Sequence, residues 1–238
     1  MVDLNGKLRA HRELRSEVVR IGAERTPVLV IDSFLSDAQL LVDYAAAHST
    51  FTSDPQTHYP GVRAPIPPIY AFAVRAFLGP LIRQAFGLGN SEVVRERADF
   101  SIVTTPPAAL SVPQRMPHID NTDPGHFAVL HYLCGPDDGG TSFYRHRASG
   151  FEAFDAGRLA AYGKILEAEL AAFGPPPARY ADGEDLRFER IAAFPAAFNR
   201  VLVYPGRNLH SADIAPDFRF DPDPRTGRLT ANSFFYFA

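Results

Sequence analysis

The sequence contains no tryptophan and one cysteine, Cys134. A lone cysteine excludes a disulfide within the chain, and with it both the disulfide-stapled scaffolds and a four-cysteine zinc site. It makes the cytoplasm the expected compartment. No run approaches 18 apolar residues, so no membrane-spanning helix is expected. The opening "MVDLNGKLRAHRELRSEVVR" is charged and lacks the apolar core of a secretory signal. An excess of positive charge is missing too: 24 Lys and Arg stand against 27 Asp and Glu, with a pI near 6.2. Neither nucleic acid nor an anionic membrane is therefore the expected partner.

What the chain does have is bulk, turns and aromatic rings. Its 238 residues are 46% hydrophobic, enough for one large domain with a full core. Its 21 prolines imply short elements and many turns, as in β-rich folds. Residues 1–25 are polar and read as an N-terminal extension, helical or loosely ordered. Residues 26–238 read as a single domain. Within it, "TPVLVIDSFL" is a strand, and Ser36 with Gln39 has the spacing of a capping box before the helix "DAQLLVDYAAAH". The proline-rich stretch 51–68 is expected to be irregular, and 69–88 to be an apolar helix broken near Gly79-Pro80. Residues 26–90 thus form a helical support.

From residue 91 the pattern turns to strands: "SEVVRERADFSIVTT", "GHFAVLHYLC", "GGTSFYRH", "FNRVLVYPGRNLHSADI" and "GRLTANSFFYF". A helical pattern at 157–174, followed by a Pro/Gly loop, makes an insertion at about 150–190. The expected class is α+β, mainly β: a sandwich or jelly roll (a double-stranded β-helix) with N-terminal helices packed on it.

"RMPHID" places His118 and Asp120 two residues apart, on one face if the segment is extended. His210, after the strand "RVLVY" and a turn, is the best third ligand. His131, inside an apolar run, and His146, beside two arginines, rank below it. Two histidines and one carboxylate on one face leave open coordination positions, an arrangement suited to non-haem Fe(II) and oxygen.

These stretches together resemble the Fe(II)/2-oxoglutarate-dependent dioxygenases, in particular the prolyl-4-hydroxylase-like branch, which includes bacterial members of unassigned function. The resemblance runs from about residue 26 to the C-terminus. "VLVIDSFLSDAQL" is similar to the family's strand-to-helix entry, "PHID" to its H-x-D, "VLHYLCGPDDGGTSFYRH" to the two strands that follow, "NRVLVYPGRNLHSADI" to the strand bearing the distal histidine, and "GRLTANSFFYF" to the closing strand with its R-x-S/T pair.

The resemblance implies a catalytic iron held by His118, Asp120 and His210. It implies 2-oxoglutarate bound by Arg228 and Thr230 with a contribution from Tyr132, with O2 as oxidant and ascorbate as a supporting reductant. Arg219 is the rival to Arg228, being nearer to His210 in sequence; the strand context favours Arg228. A carboxylate at 120, where related halogenases carry a small residue, implies hydroxylation of an amino acid, peptidyl side chain or small metabolite. The alternative from another class is a jelly-roll sensor that binds metal and 2-oxoglutarate without turnover. A homodimer is compatible with either. The loop holding Tyr59 and Arg63 reads equally as a lid, a carboxylate-binding element or an ordinary turn.

Overall fold

The structure, a computed structural model, describes residues 4–53, 58–183 and 185–238. Among the described residues, ten strands form two antiparallel sheets. The larger has the order β1 (Arg15–Ile21), β2 (Thr26–Asp32), β8 (Val201–Pro205), β5 (His126–Tyr132), β10 (Leu229–Phe237), β4 (Val93–Val103), β3 (Gly61–Pro65). The smaller has the order β7 (Phe188–Pro195), β6 (Gly140–His146), β9 (His210–Asp213). The architecture is mainly β in two layers. Hydrogen bonds leave the sheets separate, without closing them into one roll.

Strand period decides what each face of the large sheet holds. On β10, Leu229, Ala231, Phe235 and Phe237 face helices α1 (Gln39–His48) and α2 (Pro68–Phe86) and join the main apolar core. The intervening residues, from Thr230 onward, face the small sheet. On that side Val28, Val30, Ala128 and Leu202 pack against Phe143 of β6, which ties the layers together. Helix α3 (Ala156–Phe173) joins β6 to β7 and buries none of its residues. Asp155 caps it by accepting a hydrogen bond from the Arg158 backbone N–H at 2.8 Å.

Several expectations need correction. Residues 15–21 are strand β1, paired along its length with β2, where helix or loose chain was expected. The stretch 51–68 contains strand β3, with Pro65 at its end; an edge strand tolerates proline because one row of its N–H groups has no ladder to feed. Residues 54–57 of that stretch lie outside the described residues. Helix α2 runs through Pro80 unbroken. Helix α1 starts after Ala38 and has no side-chain cap; the Ser36 hydroxyl donates instead to the Arg9 carbonyl. Strand β7 occupies 188–195, at the end of the expected insertion.

No helix among the described residues is long and apolar enough to cross a membrane. Cys134 is buried, and burial pushes its thiol up to about 12, far from the range of a nucleophile.

Candidate metal centre

His118 and His210 sit directly opposite each other in a two-residue antiparallel bridge. Each backbone N–H donates to the other residue's carbonyl, at 2.8 and 2.9 Å. This pair extends the small sheet beyond β9 and places the two rings 4.5 Å apart between centroids. Asp120 follows on the same side. Its N–H donates to the Gly206 carbonyl at 2.7 Å, so the turn after β8 anchors it. Residue 206 has to be glycine for reasons of space: a Cβ there would lie 2.0 Å from His126 Nδ1 and 3.3 Å from the Asp120 Cβ.

The Asp120 carboxylate lies 3.9 Å from His118 Nε2 and 3.7 Å from His210 Nε2. One ligand atom from each of the three falls within 4.8 Å of the others. Three features fit a divalent cation. Asp120 Oδ2 is buried and takes no hydrogen bond, a costly state unless a ligand supplies the missing partner. The Asn208 carbonyl can only accept, so His210 Nδ1 carries the proton and donates at 2.8 Å. That fixes the tautomer with the Nε2 lone pair facing the site, as metal-ligating histidines are usually fixed. Finally, both imidazoles are held neutral: burial and the neighbouring His126 push His210 down to about 4. Burial and the facing His210 lower His118. More than half of the His118 side chain is open to the cavity, which tempers the burial contribution. Burial also raises the Asp120 carboxyl, which a bound cation would reverse.

The three residues line a cavity of about 620 Å³ between the sheets. Arg228 lines it as well. Its guanidinium donates to the carbonyls of Asp138 at 3.0 Å and Gly140 at 2.7 Å. It is 3% exposed, and among the described residues it forms no ion pair, Asp138 being the carboxylate whose charge reaches it. A buried cation without a counterion is a strong request for an anion. Tyr132 and Thr230 are opposite each other in register between β5 and β10, fully buried beside Arg228. The Tyr132 hydroxyl bonds to Thr141 Oγ1 at 2.6 Å, and Thr141 lines the cavity. Thr230 Oγ1 donates to the Ser101 carbonyl at 3.4 Å.

The rival residues lie elsewhere. The Arg219 side chain is 81% exposed and pairs with Asp221. His131 faces the helices: Nε2 bonds to Asn199 Oδ1 and Nδ1 to the Tyr70 hydroxyl, so both nitrogens are engaged in the core. His146 is held between Ser149 and Glu169. One residue escaped the sequence reading: His126, on the cavity wall, has a buried Nδ1 without a partner and stacks on Phe234. The even spacing of His126, Ala128, Leu130 and Tyr132 along β5 was the available signal.

The profile of a family of unknown function, DUF6445, matches residues 12–235, and the chain belongs to that family. No curated protein matches it in sequence. Among solved structures it is similar to the non-haem α-ketoglutarate-dependent epimerase SnoN from nogalamycin biosynthesis, at 11% identity and a TM-score of 0.48 over 89% of this chain and 78% of that one. It is similar to HygX from Streptomyces hygroscopicus, solved with nickel, 2-oxoglutarate and hygromycin B, at 14% identity and 0.48 over 90% and 84%. It is also similar to EctD from S. alaskensis with bound Fe, at 16% identity and 0.41 over 97% and 83%.

Proposed function

We propose that this DUF6445 member is an Fe(II)- and 2-oxoglutarate-dependent dioxygenase that hydroxylates a C–H bond of an amino acid, a peptidyl side chain or a small metabolite. The observation that carries the reading is the pairing, in one cavity, of a two-histidine, one-carboxylate cluster holding an orphaned buried carboxylate oxygen with a buried arginine lacking a counterion. The cluster suits a divalent cation and the arginine suits a carboxylate, and 2-oxoglutarate is a ligand that needs both. The ordered sequence motifs of the prolyl-4-hydroxylase-like branch support the same assignment.

Bound iron would supply the oxidising chemistry, coupling reduction of O2 and decarboxylation of 2-oxoglutarate to hydroxylation, with release of succinate and CO2. The chain's own work is placement. His118, Asp120 and His210 would hold the metal, and three ligands would leave coordination positions open. The Asn208 carbonyl keeps His210 in its ligating tautomer. Arg228 receives the far carboxylate of 2-oxoglutarate, its orientation fixed by two backbone carbonyls. Thr230 and Tyr132 lie behind the cavity wall, where the Tyr132 hydroxyl bonds to Thr141, and Thr141 presents a hydroxyl at the wall itself. Ala128, Leu130 and Ile119 keep much of the remaining wall apolar.

Incubating the protein with Fe(II), ascorbate and 2-oxoglutarate tests this. Succinate formation is expected, with Asp120→Ala lowering it at least about 100-fold together with iron binding, in line with loss of a metal ligand. An Asp120→Ala protein that kept full succinate production and iron binding would sink the assignment. Tight metal and 2-oxoglutarate binding without succinate, across a broad substrate panel, would favour a sensor.

A further inference from the structure

A second guanidinium without a carboxylate partner among the described residues lines the cavity, on the opposite side of β4 from Arg228. Arg63 of β3 pairs in register with Ser101 of β4, and Ser101 pairs with Thr230 of β10, which pairs with Tyr132 of β5. The four residues therefore form one row across the sheet. Asn232 donates to the Ser101 hydroxyl at 3.2 Å, which fixes the row on the cavity face. Two strand spacings separate Arg63 from Thr230, roughly 10 Å between Cα atoms. Arg63 thus enters the cavity from a different strand than Arg228, and Tyr59 lies between the two charges.

Arg63 is half-buried, and its Nε is buried with no hydrogen-bond partner. Among the described residues no carboxylate lies within ion-pair distance of it. Its guanidinium lies over the Tyr59 ring, 4.5 Å from the centroid, and the Tyr59 hydroxyl is likewise buried without a partner. The ring face holds the planar fork in place without using its N–H groups. The remaining charges on the wall deepen the bias. Arg95, stacked on Tyr236, has no carboxylate partner among the described residues, whereas Arg97 is neutralised by Asp99 at 2.8 Å. The chain as a whole carries a net charge of −3, so this concentration of cations is local.

We infer that Arg63, seated on Tyr59, receives a carboxylate of the molecule that is oxidised, so that the substrate is a small carboxylic acid held between Arg63 and the metal. The inference rests on the oxygenase reading for the word "oxidised", and on Arg63 alone for the carboxylate. Two N–H groups of one fork match the two oxygens of a carboxylate monoanion; a phosphate dianion would leave charge uncompensated at a single arginine.

The test is a titration of the full chain, loaded with Ni(II) and 2-oxoglutarate so that the Arg228 pocket is filled. The probes are a panel of small monocarboxylic acids, N-acetylated amino acids among them, each paired with its primary amide. At least one acid should bind about tenfold or more tighter than its amide. Arg63→Met should abolish that preference and Arg63→Lys keep part of it, with melting temperature and 2-oxoglutarate affinity close to those of the native chain. No acid outbinding its amide overturns the inference. So does a preference that survives in Arg63→Met, or an Arg63→Met protein that loses 2-oxoglutarate in place of the probe. A chain that discriminates acid from amide through Arg63 but binds no 2-oxoglutarate keeps the carboxylate site and overturns the oxygenase reading instead.

Discussion

The two faces of the seven-stranded sheet are built from the same strands and have opposite chemistry. His131 and Tyr132 are neighbours on β5, yet one belongs to the helix-side core and the other to the cavity side. On β10, Leu229 and Ala231 are fully buried among apolar side chains, while Thr230, and Arg228 just before the strand, sit among carbonyls and hydroxyls. On the helix side His131 is satisfied within the protein by two hydrogen bonds, and the orphaned polar atoms are few, Ser233 Oγ among them. On the cavity side, Asp120 Oδ2, His126 Nδ1, Arg63 Nε and the Tyr59 hydroxyl accept or donate no hydrogen bond among the described residues. Unsatisfied buried groups are rare and costly in folded proteins. Their concentration on one face separates the surface that holds the fold together from the surface that awaits ligands.

The comparison can be broken from either side. Phe235 is fully buried on the helix face and packs edge-on against Phe237. Phe235→Ala should cost about 3–5 kcal/mol of stability by leaving a cavity, read as a lower denaturant midpoint, with Ni(II) affinity measured well below the transition unchanged. A large loss of metal affinity in a folded Phe235→Ala protein would mean the faces are not separable. Arg228→Met should do the converse. The affinity for 2-oxoglutarate should fall by about 2–3 kcal/mol, roughly 30- to 140-fold, as expected for losing charged hydrogen bonds. Stability should change little, because the desolvated charge disappears along with its two bonds to carbonyls. Titration calorimetry with the metal-loaded protein measures the first effect, and a melt of the ligand-free protein the second.

What the sequence revealed follows from the same geometry. Central strands such as β5, β8 and β10 carry dense apolar signals because both faces are covered, and "FAVLHY", "VLVYP" and "LTANSFFYF" stand out. The three missed strands, β1, β3 and β7, are all edge strands. β1 exposes its first four residues in succession, so it shows no alternation from burial on one face. β3 contains proline, and β7 is only partly covered along most of its length. Their strand character comes from a partner distant in the chain, which local pattern does not contain. At the site, the spacing of His118 and Asp120 was visible, and His210 could be joined to them through its strand context. The row Arg63–Ser101–Thr230–Tyr132 was not visible, since it runs across four strands and depends on register.

The smallest effect probes the helix face by pH. Burial holds the His131 imidazole down at about 4 in the folded chain, despite the hydrogen bond its Nε2–H donates to Asn199 Oδ1, which works the other way, whereas the unfolded chain titrates near 6.5. Between those values the unfolded state carries a proton that the folded state refuses. Stability is therefore full above pH 6.5, falls as pH drops through the window, and levels off below about 4; the slope from this group approaches roughly 1.4 kcal/mol per pH unit. His118 and His210 have depressed imidazoles as well, so the total slope does not isolate His131. The difference between the native chain and His131→Gln does. Glutamine loses the ring packing against Phe34 and Tyr70, so the variant should be less stable at pH 7.5. The gap should then narrow steadily toward pH 5, because only the native chain pays the His131 proton penalty. A gap that stays constant from pH 7.5 to 5 in denaturant melts would mean that His131 accepts its proton in the folded state. The helix face would then resemble the cavity face in leaving a histidine free to respond to its surroundings.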